Sequence, residues 1–269
     1  LQLSLIIAVY NKPEILRYVL AACARQSFQD FEVIIADDGS GREVKDVVMQ
    51  SKEIYNFSIT HLWHDDIGWR KNKMLNNSIR AAKSDYLVFI DGDCLPEKDF
   101  LLDHWREKET KKILLGRRVE MSERWANSLT LAKVSSGQFE KIGIAELVDG
   151  FRGSALRLEE GIRIRSQVIR NISFRHSKSI LGSNFSVHKV DMFAINGFDE
   201  EYDGPGHGED SDVQYRLSLI GVAGKSLRNL AIQFHVYHPR TKPSEQSAKR
   251  FEEIRKIIDP KCKCGLENL

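Results

Sequence analysis

Three apolar runs that each close on polar or acidic residues constrain this chain's fold most. Residues 3–10 (LSLIIAVY), 31–36 (FEVIIA) and 86–90 (YLVFI) are near-continuous in apolar side chains. A run without alternation marks a strand buried on both faces, as inner strands of a parallel sheet are. Between the first two, Pro13 suits a first helical turn. Ile15, Leu16, Val19, Leu20 and Cys23 then keep a helical period, which predicts a helix to about Ser27. Further helices are expected over 42–52 and 69–83, with a short strand near 57–62. Strands alternating with helices give an α/β fold: a mainly parallel sheet, flanked by helices and wound by right-handed crossovers. Ligands of such sheets gather beyond the carboxyl ends of the strands. Asp37-Asp38-Gly39-Ser40 and Asp91-Gly92-Asp93 both fall there.

The second half is less regular. A helix is expected over 122–147, and a strand or bend over 181–187. A turn at Asn196-Gly197 precedes a glycine-rich loop at 204–208, which leads into an amphipathic helix carrying Val213, Tyr215, Leu217 and Ile220. Residues 231–238 read as a last strand with His235 and His238 near its end. A helix at 244–258 and a loose tail close the chain. The chain therefore divides into a regular first part at 1–95, a less regular part at 96–240 and a tail at 241–269.

Composition narrows the function classes. At 269 residues, with 42% apolar and 29% charged, the chain can bury a full core, which excludes a disordered or fibrous protein. A net charge of +2 gives no global field for nucleic acid, so no nucleic-acid partner is expected. No run approaches the ~20 apolar residues of a membrane span. The N-terminus lacks the basic region of a signal peptide. It begins with Leu, so a trimmed chain is expected. Four cysteines make no disulfide framework, and a reducing, cytoplasmic setting is the expectation. Cys262 and Cys264 lie in the polar tail and are not expected to hold zinc.

Several constellations carry chemistry. Asp91 and Asp93, one residue apart around Gly92, either form an acidic strand-end turn or converge on one divalent cation, Mg2+ or Mn2+, that bridges phosphates. Asp38, with Asp37, either caps the next helix through an Asx-turn or meets a uracil or ribose. Asp210, after Gly208-Glu209, either favours a helix N-terminus or acts as a general base. His235 and His238 are structural or are metal ligands. On a straight strand, residues three apart face opposite ways, so one shared metal requires a bend, which Pro239 favours. Residues 152–178 carry six Arg and one Lys against Glu159 and Glu160. That stretch is either a solvated face or a contact for an anionic membrane surface or lipid-linked acceptor. Arg117-Arg118 is expected near the cleft.

Together these segments resemble the inverting family 2 glycosyltransferases, which have the GT-A fold. The motifs run from SLIIAVYNKP through EVIIADDGSG, GWRKNKMLNNSIRAAKSDYLVFIDGDCLP and GSNFSVHKVDMFAINGFDEEY to GHGEDSDVQYRL, about residues 3–220. The C-terminal half is similar to the galactosyltransferase-type module of chondroitin-polymerase-like enzymes and β-1,4-galactosyltransferases. The resemblance implies Mn2+ (or Mg2+) and the donor diphosphate on Asp91 and Asp93, with Asp93 the closer ligand. It implies uridine near Val9, Asn11, Asp38 and Asp37, and Asp210 as catalytic base beside Glu209. His238 matches the late metal ligand, and His235 falls three residues earlier. Leu75 stands where an Arg often precedes the Asn matched by Asn76, so Arg70 or Lys73 is expected at the diphosphate. Pro205-Gly206-His207 stands where galactosyltransferases carry a Trp for the acceptor. Acceptor contacts are expected from His207, Gly208 and Asn184. The resemblance also implies that 1–95 is a donor-binding half, 96–240 an acceptor-binding half and 241–269 a C-terminal tail.

The expected reaction moves a hexose or N-acetylhexosamine from a UDP-sugar to a sugar hydroxyl of a glycan or lipid-linked acceptor, in surface polysaccharide or lipopolysaccharide synthesis. Two alternatives remain at this point. A nucleotidyltransferase would release pyrophosphate, but no Gly-rich, Lys-bearing triphosphate loop follows the first strand. A non-catalytic sugar-nucleotide or glycan module would bind without turnover.

Overall fold

The apolar runs become the inner strands of one sheet. The computed structural model describes residues 1–166, 168–170, 179–206, 208–239 and 242–267. In chain order the first part holds β1 (Leu3–Val9), α1 (Pro13–Cys23), β2 (Phe31–Asp37), α2 (Arg42–Ile54), β3 (Ser58–Trp63), α3 (Lys71–Ala81) and β4 (Tyr86–Asp91). Then come β5 (Cys94–Pro96), α4 (Phe100–Glu107), β6 (Lys112–Leu115), β7 (Val119–Glu120), α5 (Glu123–Asn127), α6 (Leu131–Ser135) and α7 (Ile144–Phe151). The rest holds β8 (Phe185–His188), α8 (Lys189–Ala194), α9 (Glu209–Leu219), β9 (Ala223–Ser226), β10 (Gln233–His235) and α10 (Glu245–Ile254).

Among the described residues the main sheet has the order β3-β2-β1-β4-β8-β6-β9. Strands β1 to β4 are mutually parallel, β8 is antiparallel to β4 and β6, and β9 is parallel to β6. Side-chain alternation splits the core in two. Leu5, Ile7, Val88 and Ile90 pack with Leu16 and Leu20 of α1 and Val44 and Val48 of α2 on one face. Ile6, Leu87 and Phe89 pack with Met74 and Ile79 of α3, Met192 of α8 and Leu217 of α9 on the other. Both faces are covered, which is why these strands read as unbroken apolar runs.

This topology brings several chain ends to one edge. Val9, Asp37 and Asp91 end β1, β2 and β4 there. Because β8 runs the other way, its entry segment Gly182-Ser183-Asn184 arrives at the same edge, opposite Phe89. The exit of β6 brings Arg117 and Arg118 to it. A smaller sheet, β5-β10-β7, closes over this edge.

Three expectations need correction. The helix over 122–147 is interrupted. Ser122 Oγ accepts from the Trp125 N–H and Thr130 Oγ1 from the Lys133 N–H, so each hydroxyl starts a separate short helix. The last strand is only Gln233–His235 and belongs to the smaller sheet. The tail is not loose through Glu267: Cys262 and Leu266 are buried, and Asn196 Nδ2 donates to the carbonyls of Cys262 and Glu267.

Candidate active site

The strand ends, the β8 entry and the smaller sheet enclose a cleft of about 1270 Å³. Val9, Asp38, Asp91, Gly92, Asp93, Glu209, Asp210, His235 and His238 all line it, from segments more than two hundred residues apart.

Strand register explains the first cluster. His235 pairs with Cys94 across β10 and β5, so Asp93 sits where the chain leaves β10. The Val236 N–H donates to the Asp93 carbonyl at 2.9 Å, and the strand stops there. The bend lets both histidines face one carboxylate. His235 Nε2 lies 3.5 Å from Asp93 Oδ1, and His238 Nε2 lies 3.2 Å from Asp93 Oδ2. The three residues offer ligand atoms all within 4.8 Å of one another. His238 Nδ1 lies 2.9 Å from the Pro239 carbonyl, a bond it makes as donor, which fixes the ring with Nε2 facing Asp93. Two imidazoles and one carboxylate are a donor set that fits a divalent cation able to accept nitrogen as well as oxygen. Lys12 Nζ also donates to Asp93 Oδ2, at 2.8 Å. Burial works to raise the Asp93 pKa, but hydrogen bonds from His235 and His238 and the charge of Lys12 hold it well below the usual carboxylate range. The Asp93 hydrogen bond in turn raises the pKa of His238.

Asp91 stands apart from this group. Its Oδ1 accepts from Lys71 Nζ at 2.9 Å, and it is not a fourth member of the Asp93–His235–His238 group. Lys71 lines the cleft, where Arg70 or Lys73 was expected to bring a cation. Its burial disfavours charge, but Asp91, Asp210 and Glu209 outweigh that and raise its pKa. Arg70 instead donates its backbone N–H to the Asp38 carboxylate, at 3.0 Å to Oδ2, and its guanidinium to the Asp65 carbonyl. Lys73, two residues beyond Lys71 on a helix, points away and is exposed.

The second cluster is Glu209 and Asp210, at the start of α9. The Gly182 N–H donates to Asp210 Oδ2 at 2.9 Å. A Cβ on Gly182 would lie 2.2 Å from that oxygen, so only glycine allows the approach. Burial raises the Asp210 pKa, while Lys71, the Gly182 N–H and Arg118 oppose the rise. Burial and then the neighbouring Asp210 push Glu209 up from 4.5 to about 7, against Lys71.

Other expected contacts belong to the frame. Asp37 is fully buried; its Oδ1 accepts from the Ser40 N–H and its Oδ2 lies 2.8 Å from His61 Nε2. Asn11 ties β1 to β2 through Ser40 Oγ and the Gly41 N–H. Asn76 is locked to Phe198 and Glu200 behind the sheet. Asn184 is fully buried; His104, the Arg117 carbonyl and the Ala231 carbonyl satisfy its amide. Gly208, at φ 143°, abuts Ser247 and Tyr202 instead of the cleft. These five do not line the cleft, where donor contacts were expected of Asn11, Asp37 and Asn76 and acceptor contacts of Asn184 and Gly208. His207 lies outside the described residues. Asp38 does line the cleft, held by His64 Nε2 at 2.8 Å and by the Arg70 N–H.

Within the basic stretch, Arg163 is bound to Glu97 and Asp103, and Arg157 lies 3.5 Å from Glu120, so part of its charge is internal. Positions 167 and 171–178 of that stretch lie outside the described residues.

Residues 4–155 match the family described as Glycosyl transferase family 2. The chain belongs to that family. Residues 165–239 of this family 2 chain also match the N-terminal domain of galactosyltransferase. Asp93 falls in the first match and His235, His238, Glu209 and Asp210 in the second. The chain is 27% identical to a chondroitin synthase of Escherichia coli over 88% of its own length and 35% of the relative's. It is 27% identical to a validoxylamine A glucosyltransferase of Streptomyces hygroscopicus, covering 82% of itself and 52% of the relative. It therefore spans between about a third and about a half of those relatives. Among solved structures, S. aureus TarS 1-349 in complex with UDP-GlcNAc has a TM-score of 0.58 at 18% identity, over 96% of this chain and 65% of that one. The mannosyltransferase PcManGT from Pyrobaculum calidifontis, in complex with GDP-Man and Mn2+, has a TM-score of 0.58 at 14% identity, over 89% and 58%. The GT-A architecture expected from the motifs is thus the observed one.

Sequence reasoning missed Lys12, Lys71, Gly182, Tyr10, Trp69 and Tyr237, all of which line the family 2 cleft, and left Arg118 without a role. Arg118 Nη1 donates to Ser183 Oγ at 3.1 Å on the cleft wall, whereas Arg117 turns to the Gly116 and Ser179 carbonyls. The only available signal was position, immediately after a strand end.

Glu209 makes stability pH-dependent. The folded chain keeps a proton between 4.5 and about 7 that the unfolded chain releases, so stability falls as pH rises through that window. The expected loss is on the order of 3 kcal/mol. Denaturant unfolding at about pH 5 and pH 8 should show this fall, and Glu209→Gln should remove it. An unchanged difference between the two proteins at both pH values would mean that Glu209 ionises normally.

Proposed function

We propose that this chain is the catalytic unit of an inverting, metal-dependent glycosyltransferase. It moves a hexose or N-acetylhexosamine from a UDP-sugar to a sugar hydroxyl of a glycan or lipid-linked acceptor, in surface polysaccharide synthesis. The observation that carries this reading is one cleft holding both the Asp93–His235–His238 group and the Glu209–Asp210 pair.

Asp38, with Val9 at the end of β1, faces the donor nucleoside. Lys71 and Arg118 bring positive charge to the diphosphate. Asp93, His235 and His238 would hold Mn2+ or Mg2+, which would supply positive charge against the diphosphate leaving group. Asp210, fixed by Gly182, takes the proton from the acceptor hydroxyl as that oxygen attacks the anomeric carbon from the face opposite UDP. Glu209, its pKa pushed up to about 7, is partly protonated near neutrality, which favours placing the negative charge of the pair on Asp210. In this reading 1–95 serves the donor and 96–240 the acceptor, although strands of both share the main sheet. The setting we propose is cytoplasmic, at the inner face of a membrane. Among the described residues no helix is long and apolar enough to cross one.

The test is UDP release from a panel of UDP-sugars without acceptor, in Mn2+, Mg2+ or chelator. Slow release from one donor, fastest in Mn2+ and absent in chelator, is expected. Release of pyrophosphate from a nucleoside triphosphate, or of GDP from a GDP-sugar alone, would overturn the donor assignment.

A further inference from the structure

Helix α7 is amphipathic the wrong way round for a core helix. Its charged residues face the protein. Asp149 is buried and binds Ser122 and Arg124, and Glu146 binds Arg124 at 3.2 Å. Ile144, Leu147, Val148 and Phe151 repeat at three- and four-residue steps and form one stripe on the opposite side. They are 83%, 50%, 39% and 95% exposed. A stripe of that width facing solvent is apolar surface that asks for a partner.

The charge around the stripe says which partner. Lys141 precedes the helix and Arg152 follows it, and both are exposed, as is Arg165 further on. The acids of α7 are neutralised on its inner side by Arg124, so the outward face shows apolar and cationic groups together. That combination fits an interface of acyl chains beneath anionic headgroups. The chain leaving α7 runs through Gly153, Ser154, Leu156 and Arg157 along the cleft wall.

We propose that α7 is a docking helix that lays Ile144, Leu147, Val148 and Phe151 into an anionic phospholipid bilayer. Docking would set the cleft mouth beside the membrane surface. The proposal rests on this surface alone and not on the glycosyl-transfer reading.

The protein should co-sediment with vesicles of phosphatidylcholine containing phosphatidylglycerol, and far less with phosphatidylcholine alone. Added salt should weaken the binding. Phe151→Ser and Ile144→Ser, both at exposed positions, should each lower partitioning by about tenfold while the thermal unfolding transition is kept. Equal partitioning of wild type and Phe151→Ser, or no binding to the anionic vesicles, would overturn the proposal. So would a concentration-dependent dimer that Phe151→Ser dissolves without any vesicle binding, since the stripe would then join two copies of the chain.

Discussion

Asp210→Asn should lower sugar transfer by roughly 10³-fold and leave UDP binding within a few-fold of wild type. The asparagine keeps the shape of the side chain and can still accept the Gly182 N–H, which now meets Asp210 Oδ2 at 2.9 Å. What it loses is the ability to take a proton. The loss should therefore fall on turnover, with donor affinity nearly unchanged. Gly182→Ala is a second route to the same end, because its Cβ would press on the carboxylate it now orients. Steady-state transfer and equilibrium UDP binding, measured on the same preparations, check both effects. Near-wild-type turnover by Asp210→Asn would remove Asp210 as the base and leave Glu209, with its pKa of about 7, as the group to examine next.

Asp93→Ala should abolish the gain in UDP binding that Mn2+ confers, an effect of about 100-fold or more. The substitution removes the carboxylate toward which His235, His238 and Lys12 all point. Mn2+ binding followed by electron paramagnetic resonance reports the loss without requiring activity. Asp91→Asn is the informative control. Asp91 is paired with Lys71 and lies outside the cluster, so Mn2+ affinity should change little. Unaltered Mn2+ binding by Asp93→Ala would place the cation elsewhere. A large loss in Asp91→Asn would bring that carboxylate into the coordination sphere.

How far the site was legible depended on the kind of residue. Asp38, Asp91 and Asp93 follow apolar strands, and a parallel sheet places such residues at its ligand-binding edge whatever their neighbours. Asp210 stood out because an acidic pair follows a glycine-rich loop. The structural bonds of Asn11, Asn76 and Asn184 were not legible, for the opposite reason. Their amides satisfy backbone groups of segments more than twenty residues away, and no local pattern announces such a partner. Lys71 and Lys73 show how small the margin is. Both lie in one basic run, but helical geometry turns only Lys71 to Asp91.

The sequence by itself determined the layered α/β architecture, the edge at which ligands gather and the family. Apolar periodicity and strand-end position are local properties and survive without coordinates. Only the tertiary structure decided which side chains meet. The antiparallel pairing of β10 with β5 set His235 and His238 on Asp93, and the reversed entry of β8 brought Gly182 to Asp210. The outward turn of the apolar face of α7 also needed the fold, since a helical period says that one face differs and not which way it points. Each of these outcomes depends on strand register or helix orientation over long sequence separations, and only the packed core fixes those.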